Sequence, residues 1–316
     1  MHIYRGLPSP FSLFDCALAI GNFDGVHLGH QALLSQVVAA ARDRGLVPAV
    51  LTFEPHPKEV FGHEQLLRIS TLRDKYQAIL ACGIQRIYVL PFTSELASLT
   101  PAEFAKRILA EGLACRWVTV GENFSFGVHR SGTFETLQEL GRHYGFEAVC
   151  TPLLFHGQAR ISSSRIRASM ALGDLHEVEL MLGRHYTITG RIIHGAALGR
   201  QLGFPTLNQF VLPPGSNSAP ALHGVFAVRV TGLDQRATAF PGVASLGFKP
   251  TVSTVKRWLL ETHVFNWNGD AYGRLLRVEF VDKIRDEKKF SGIEELKAAI
   301  AQDVVTAKQM LGVSAS

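Results

Sequence analysis

The sequence predicts two domains of different class: an α/β domain built on a parallel sheet over residues 1–184, and a β-rich domain over 185–316 that closes with a helix. Three observations predict this. In the first half, short apolar runs alternate with stretches of helical periodicity, the pattern of a parallel sheet covered on both faces. After Met181-Leu182-Gly183-Arg184-His185 the runs become short and β-type, punctuated by Gly and Pro, which reads as a small barrel or sandwich. With 316 residues the chain is also longer than most single domains.

The elements follow in order. Residues 16–20 (CALAI) form an uninterrupted apolar run, hence a buried strand. Residues 31–41 place Leu33, Leu34, Val37, Val38 and Ala41 at helical spacing. Further strands are expected at 47–53, 86–92, 116–120 and 146–150. Thr100-Pro101-Ala102-Glu103 reads as a helix start, with a Thr cap, Pro in the first turn and Glu placed to bond back. Asp174-Leu175-His176-Glu177 reads as another. In the second half the β-type runs are 186–193, 224–230, 236–245, 258–265 and 275–283. A Pro/Gly/Ser loop spans 213–220, and a helix runs from about 293 to 311 with apolar residues at 293, 296, 300 and 304. No internal repeat is visible.

Composition narrows the function classes. A hydrophobic fraction of 47% with 19% charged residues allows substantial cores and excludes global disorder. The formal charge of +5 suits anionic nucleotides, but without a long Lys/Arg block it is no footprint for nucleic acid. Cys16, Cys82, Cys115 and Cys150 form no C-x-x-C pair and sit in or beside apolar runs, as small buried residues of a reducing compartment do. The N-terminus lacks a signal-peptide core and no apolar run is long enough to span a bilayer, so a cytoplasmic protein with no membrane partner is expected.

The densest motif is Gly21-Asn22-Phe23-Asp24-Gly25-Val26-His27-Leu28-Gly29-His30, set between the first strand and the first helix. A helix N-terminus offers unpaired N–H groups and positive potential, which suit a phosphate. Two imidazoles three residues apart share a face there and suit the charge that develops on a phosphate under attack. Two other readings stand beside this one. The turn could carry mere surface histidines, or His-x-x-His could bind zinc, although no cysteine or carboxylate cluster nearby completes a ligand set.

A second motif runs from Gly190 to Asn208. It contains no Walker A or G-x-G-x-x-G string. Its glycines at 195, 199 and 203 still let backbone N–H groups approach a phosphate, and Thr206 and Asn208 offer hard oxygens suited to Mg²⁺. A glycine-rich β-turn is the plain alternative.

The first motif resembles the H-x-G-H signature of nucleotidyltransferases, in the fuller form G-x-F-D-G-x-H-x-G-H of their flavin-nucleotide branch. Thr52-Phe53-Glu54-Pro55-His56-Pro57, Gly121-Glu122-Asn123-Phe124-Ser125-Phe126-Gly127 and Ile161-Ser162-Ser163-Ser164-Arg165-Ile166-Arg167 follow in order. So do Gly203-Phe204-Pro205-Thr206-Leu207-Asn208, the stretch Gly242 to Thr251, and Leu260-Glu261-Thr262-His263-Val264-Phe265. Together, from about Ala17 to Leu311, they resemble the bacterial bifunctional riboflavin kinase/FAD synthetase family.

The resemblance implies a nucleotidyltransferase-like, Rossmann-like N-terminal domain and a C-terminal β-barrel riboflavin kinase domain with a terminal helix. Riboflavin and ATP would give FMN in the barrel. FMN and ATP would give FAD and pyrophosphate in the α/β domain, with Mg²⁺ serving both. By the same resemblance, His27 and His30 would bind ATP phosphates and stabilise the transition state, with Gly21, Asn22, Phe23 and Asp24 shaping the nucleotide pocket. Asn123 would contact nucleotide or metal-linked groups, and Ser163, Ser164 and Arg167 would hold the triphosphate. In the kinase, Gly195, Gly199 and Pro205 would serve ATP, Thr206 and Asn208 the metal, and Glu261 would be the general base. Arg277 and Arg285 would contact flavin or nucleotide, and 242–251 would be a mobile loop. The partners implied are small molecules: riboflavin, FMN and ATP. The chain departs from the family pattern in places: Ser164 stands where Thr is common, Asn123 where many members have Asp, Leu28 where a basic residue alternates, and Ser245 where Asn is usual.

Overall fold

The computed structural model describes residues 2–62, 65–195, 198–213, 216–236, 238–249 and 257–313. In chain order the strands of the first half are β1 (His2–Arg5), β2 (Cys16–Ile20), β3 (Val47–Phe53), β4 (Leu67–Arg68), β5 (Arg86–Leu90), β6 (Cys115–Gly121), β7 (Glu147–Thr151), β8 (Phe155–His156) and β9 (Ala159–Arg160). They are followed by β10 (Thr187–Ile193), β11 (Leu207–Phe210), β12 (Ala219–Pro220), β13 (Gly224–Thr231), β14 (Phe240–Lys249), β15 (Arg257–Val264) and β16 (Leu275–Arg285). Two compact units emerge. One comprises Met1–Leu66 and Lys75–Ser162, the other Leu67–Asp74 and Ser163–Ser316. The division falls earlier than residue 184 because the helices Ser163–Leu172 and Leu175–Leu182 count with the second unit.

The first unit holds a six-stranded parallel sheet in the order β1-β5-β3-β2-β6-β7. All five residues of β2 are buried, which is why its sequence is unbroken apolar rather than alternating. One face packs Leu18, Ile20, Leu51, Tyr88 and Val118 into a core, and the other packs Ala17, Ala19, Val50 and Ile87 against helix α1 (Leu28–Arg44). From β2 the chain moves outward to β3 and β5, then returns to place β6 on β2's other side. The loops after β2 and β6 therefore flank a topological switch point, where open α/β sheets bind ligands. The helix begun by the Thr100 capping box continues as a π-helix over Phe104–Gly112.

In the second unit six antiparallel strands close into a barrel, β10-β11-β15-β14-β13-β16, with β16 pairing back onto β10. The barrel reading thus holds and the sandwich alternative falls. Phe226 and Phe280 meet edge to face, and Tyr186 packs on Phe280. The terminal helix Ile293–Met310 covers the outside of the wall, with Ala307 buried among Val225, Ala227, Val243 and Phe265. Of its expected apolar positions Ile293 is exposed and Leu296, Ile300 and Val304 are partly buried, while Asp303 and Ala307 are its buried residues.

Two expectations are corrected. Strand β11 falls within what reads as a glycine motif; it forms because Leu207–Phe210 pairs with β10 and β15. The stretch 242–249, expected as a mobile loop, lies within β14, paired along its length with β13 and β15. Pro250 and Thr251 of that stretch, Ala196 and Ala197 of the glycine motif, and Pro214 and Gly215 of the expected loop lie outside the described residues.

Candidate active sites

The first site is built where β2 ends. His27 is the N-cap of α1, and its Nδ1 accepts the backbone N–H of His30 at 3.2 Å. That acceptor role puts the ring proton of His27 on Nε2, making that nitrogen a donor. The two rings stack with centroids 3.7 Å apart. Gly29 is small for a reason: a Cβ there would sit 3.1 Å from Cε1 of His27. The turn before the helix is strained, with φ of +52° at Phe23, +86° at Gly25 and +42° at Val26. Phe23 is fully buried and its ring lies 5.2 Å from that of His30, so it backs the histidine instead of lining open space. Asp24 is buried as well, and Gly21 is close-packed, 3.2 Å from the Phe23 ring to any added Cβ.

Burial, and after it the electrostatic influence of His27, Lys75 and Arg160, hold the His30 imidazole well below its ordinary 6.5. His30 Nδ1 is shut off from solvent with no hydrogen-bond partner among the described residues. Across the switch point, the side-chain oxygen of Asn123 accepts from the Arg160 guanidinium. Ser163 and Ser164 open the helix Ser163–Leu172, and Arg167 Nε donates to the Leu67 carbonyl at 2.6 Å; all three residues count with the second unit.

The second site is a cavity of about 510 Å³ at the barrel, lined by Gly195, Gly199, Thr206, Glu261 and Arg285 among others. Strand register explains the grouping. Asn208 on β11 and Ser245 on β14 both stand opposite Glu261 on β15, so three residues from three neighbouring strands form one row. Gly195 must lack a side chain because any Cβ would collide with the Asn208 amide. Pro205 is fixed through its carbonyl, 2.8 Å from His263 Nδ1. Arg285 is gripped by Asp303 of the terminal helix through two bonds of 2.8 and 2.6 Å. Arg277 does not line this cavity; on β16 it stands on the opposite side from buried Leu276 and Val278, and its charge acts on Asp74.

Asn208 Oδ1 is buried without a hydrogen-bond partner among the described residues. An orphaned hard oxygen beside Thr206 fits Mg²⁺, an ion held by few protein groups and largely by substrate phosphates. Among the described residues no cluster of three His, Cys, Asp or Glu could hold a metal.

Sequence reading missed Lys75 and Arg160 at the first site and Glu287 and Asp303 at the second, and gave no role to Thr52 and His263 although both stood in the quoted strings. Only His263, two residues beyond Glu261 on a strand and hence on its face, was open to inference from spacing.

A parallel sheet with stacked histidines at its switch point, and in the same chain a closed barrel with a carboxylate-bearing cavity, define a two-module phosphate-transferring enzyme. Residues 11–165 match the family model for FAD synthetase and residues 182–311 that for riboflavin kinase. The bifunctional riboflavin kinase/FMN adenylyltransferase of Escherichia coli K12 is 39% identical over 95% of this chain and 94% of its own. The Haemophilus influenzae enzyme of the same name is 37% identical over 98% of each chain. A solved Streptococcus pneumoniae structure described as a macrolide-efflux protein has a TM-score of 0.75 at 28% identity, covering 95% of this chain and 97% of that one. That description belongs to the neighbour, and what the two share is the fold. The chain belongs to the bifunctional riboflavin kinase/FMN adenylyltransferase family. It converts riboflavin to FMN and FMN to FAD, with ATP as co-substrate.

Proposed function

We propose that the two reactions are divided between residues 1–184 and 185–316, with FMN adenylylated at His27 and His30 and riboflavin phosphorylated in the barrel cavity. The observation that carries the division is the row Asn208–Glu261–Ser245 beside Thr206, entirely within the barrel.

In the adenylyltransferase an FMN phosphate oxygen attacks the α-phosphorus of ATP and pyrophosphate leaves. The reaction needs positioning and charge stabilisation more than covalent chemistry. The α1 N-terminus, His27 Nε2–H and neutral His30 receive the phosphates. Gly21 and the Asn22-Phe23-Asp24 turn shape the adenosine pocket, Asn123 contacts the nucleotide, and Ser163, Ser164 and Arg167 hold the triphosphate.

In the kinase Glu261 takes the proton of the riboflavin 5′-hydroxyl as its oxygen attacks the γ-phosphorus. Gly195, Gly199 and Pro205 border the ATP phosphates. Mg²⁺, when bound, neutralises phosphate charge, and Thr206 and Asn208 are the residues that would hold it. Arg285, locked by Asp303, borders the flavin; Arg277, the other flavin candidate, lies off the cavity and carries less of the reading.

Among the described residues no helix is long and apolar enough to cross a membrane. We place the enzyme in the cytoplasm, where the buried thiols of Cys16 and Cys115 stay reduced. Incubation with riboflavin and Mg-ATP, followed by separation of riboflavin, FMN and FAD, tests the whole scheme. His30→Ala should stop at FMN, whereas Glu261→Gln should stall at riboflavin yet still convert supplied FMN to FAD.

A further inference from the structure

Thr206 sits between two pinned carbonyls. Before it, the Pro205 carbonyl lies 2.8 Å from His263 Nδ1. After it, the carbonyl of Thr206 itself accepts from Asn208 Nδ2 at 3.4 Å. A carbonyl oxygen only accepts, so His263 carries a proton on Nδ1 and that nitrogen is the donor. The His263 ring also meets Phe204 edge to face, with centroids 5.7 Å apart. One imidazole thus holds two consecutive residues of the loop that leads into β11. The loop is closed on itself as well, since the Phe204 N–H donates to the Gly199 carbonyl at 2.7 Å. A Cβ at Gly199 would strike the Phe204 carbonyl and lie 3.4 Å from Thr206 Oγ1, so glycine keeps the space beside that hydroxyl clear.

His263 belongs to a different strand. It stands two residues beyond Glu261 on β15 and on the same face. Gly199, Phe204, Thr206, Glu261 and His263 all line the one cavity. The β11–β15 pairing begins only at Leu207, opposite Thr262. Ahead of that pair the His263 side chain, not the backbone ladder, ties the loop to β15.

We propose that His263 is a positioning residue of the kinase: it fixes Phe204-Pro205-Thr206 against the strand of Glu261, so that the Thr206 hydroxyl keeps its place toward the phosphates of Mg-ATP. The inference rests on the reading that Thr206 and Glu261 serve riboflavin phosphorylation. A group misplaced by a fraction of an ångström loses much of its effect on a bound phosphate.

The test compares His263→Asn, His263→Gln and His263→Phe in the full-length enzyme. The Asn amide can stand where Nδ1 stands, the Gln amide reaches the Nε2 position, and Phe keeps a ring without a donor. The readouts are KM for Mg-ATP and KM for riboflavin in FMN formation, the melting curve, and the imidazole nitrogen NMR spectrum of the parent. KM for Mg-ATP should rise roughly tenfold in Gln and Phe, the effect of one lost hydrogen bond, and stay near parental in Asn. KM for riboflavin should hold in all three, a split that general loosening of the barrel would not give. The neutral His263 ring of the parent should carry its proton on Nδ1. If Phe lowers the melting temperature, the comparison of Asn with Gln decides. Parental KM for Mg-ATP in both Gln and Phe, Asn no better than Gln, or a neutral ring protonated on Nε2 would overturn the proposal. Parental kinase kinetics in Thr206→Ala would instead sink the underlying site reading, so the two failures are distinguishable.

Discussion

His27 caps α1 by accepting the His30 N–H on Nδ1, and the same two residues stack ring on ring 3.7 Å apart. One side chain thus ends the turn, starts the helix and aims a donor nitrogen. His27→Asn separates these duties, because an Asn oxygen caps a helix well but carries no distal ring N–H. We expect His27→Asn to fold with parental thermal stability while FMN adenylylation falls about 10²- to 10³-fold, the usual cost of one lost transition-state donor. Riboflavin phosphorylation should hold. Retention of near-parental adenylylation would remove His27 from the chemistry.

Gly29→Ala pushes on the same ring. The added Cβ would lie 3.1 Å from Cε1 and 3.2 Å from Nδ1 of His27, so the imidazole must shift by a few tenths of an ångström. Alanine favours the helix, so stability should not suffer. Adenylylation should drop roughly tenfold through misplacement alone. Steady-state kinetics with FMN and Mg-ATP, beside a melting curve, check both halves of this expectation.

Glu261→Gln keeps shape and hydrogen bonding but removes the carboxylate proposed as the base. Kinase kcat should fall by about 10²-fold or more, while riboflavin binding survives. FMN adenylylation should continue, because a phosphate monoester with a second pKa near about 6 is already anionic at neutral pH. Parental FMN formation by the folded variant would show that Glu261 is not the base.

His30 also governs stability against pH. Its folded-state pKa lies well below 6.5, the value it regains on unfolding. A depressed pKa means that the unfolded chain binds the proton first, so the stability it contributes is present above about pH 6.5 and lost as pH falls toward the folded value. Urea unfolding of the parent and of His30→Asn from neutral pH down to about pH 5 should show the parent losing stability relative to the variant. A difference that stays flat over that range would contradict the buried neutral imidazole.

The helices Ser163–Leu172 and Leu175–Leu182 count with the barrel unit, and Leu175, Val178, Met181 and Leu182 are all buried. A fragment 184–316 should phosphorylate riboflavin. A fragment 163–316 should do so with a higher melting temperature, by several degrees if the helices contribute a few kcal/mol. Equal melting temperatures would mean that the helices add nothing to the barrel.

Particular residues mark where sequence reading stops. The run Cys16–Ile20 is legible because a central parallel strand, buried on both faces, must be apolar throughout. The Thr100 capping box and the Asp174 cap are legible because a cap is a bond between residues three apart. Strand β11 is not, since Asn208 and Gln209 are buried polar residues whose strand geometry comes from partners on β10 and β15. The histidine pair, Thr206 and Glu261 could be named in advance from motif strings. Lys75, Arg160 and Asp303 could not, because nothing local distinguishes them from solvated charges on a helix or hairpin.

The sequence by itself therefore determined the succession of an α/β half and a β-rich half, most strands and the helix caps, all of which depend on periodicity and short-range bonding. Only the tertiary structure decided which residues meet. It brought Lys75 under the Asn22 carbonyl, closed the β-rich half into a barrel through the pairing of β10 with β16, aligned Asn208, Glu261 and Ser245 in one row, and locked Arg285 to Asp303. Those contacts join residues far apart in the chain, and they are set by strand register and by the packing of helices onto sheets, which local sequence does not encode.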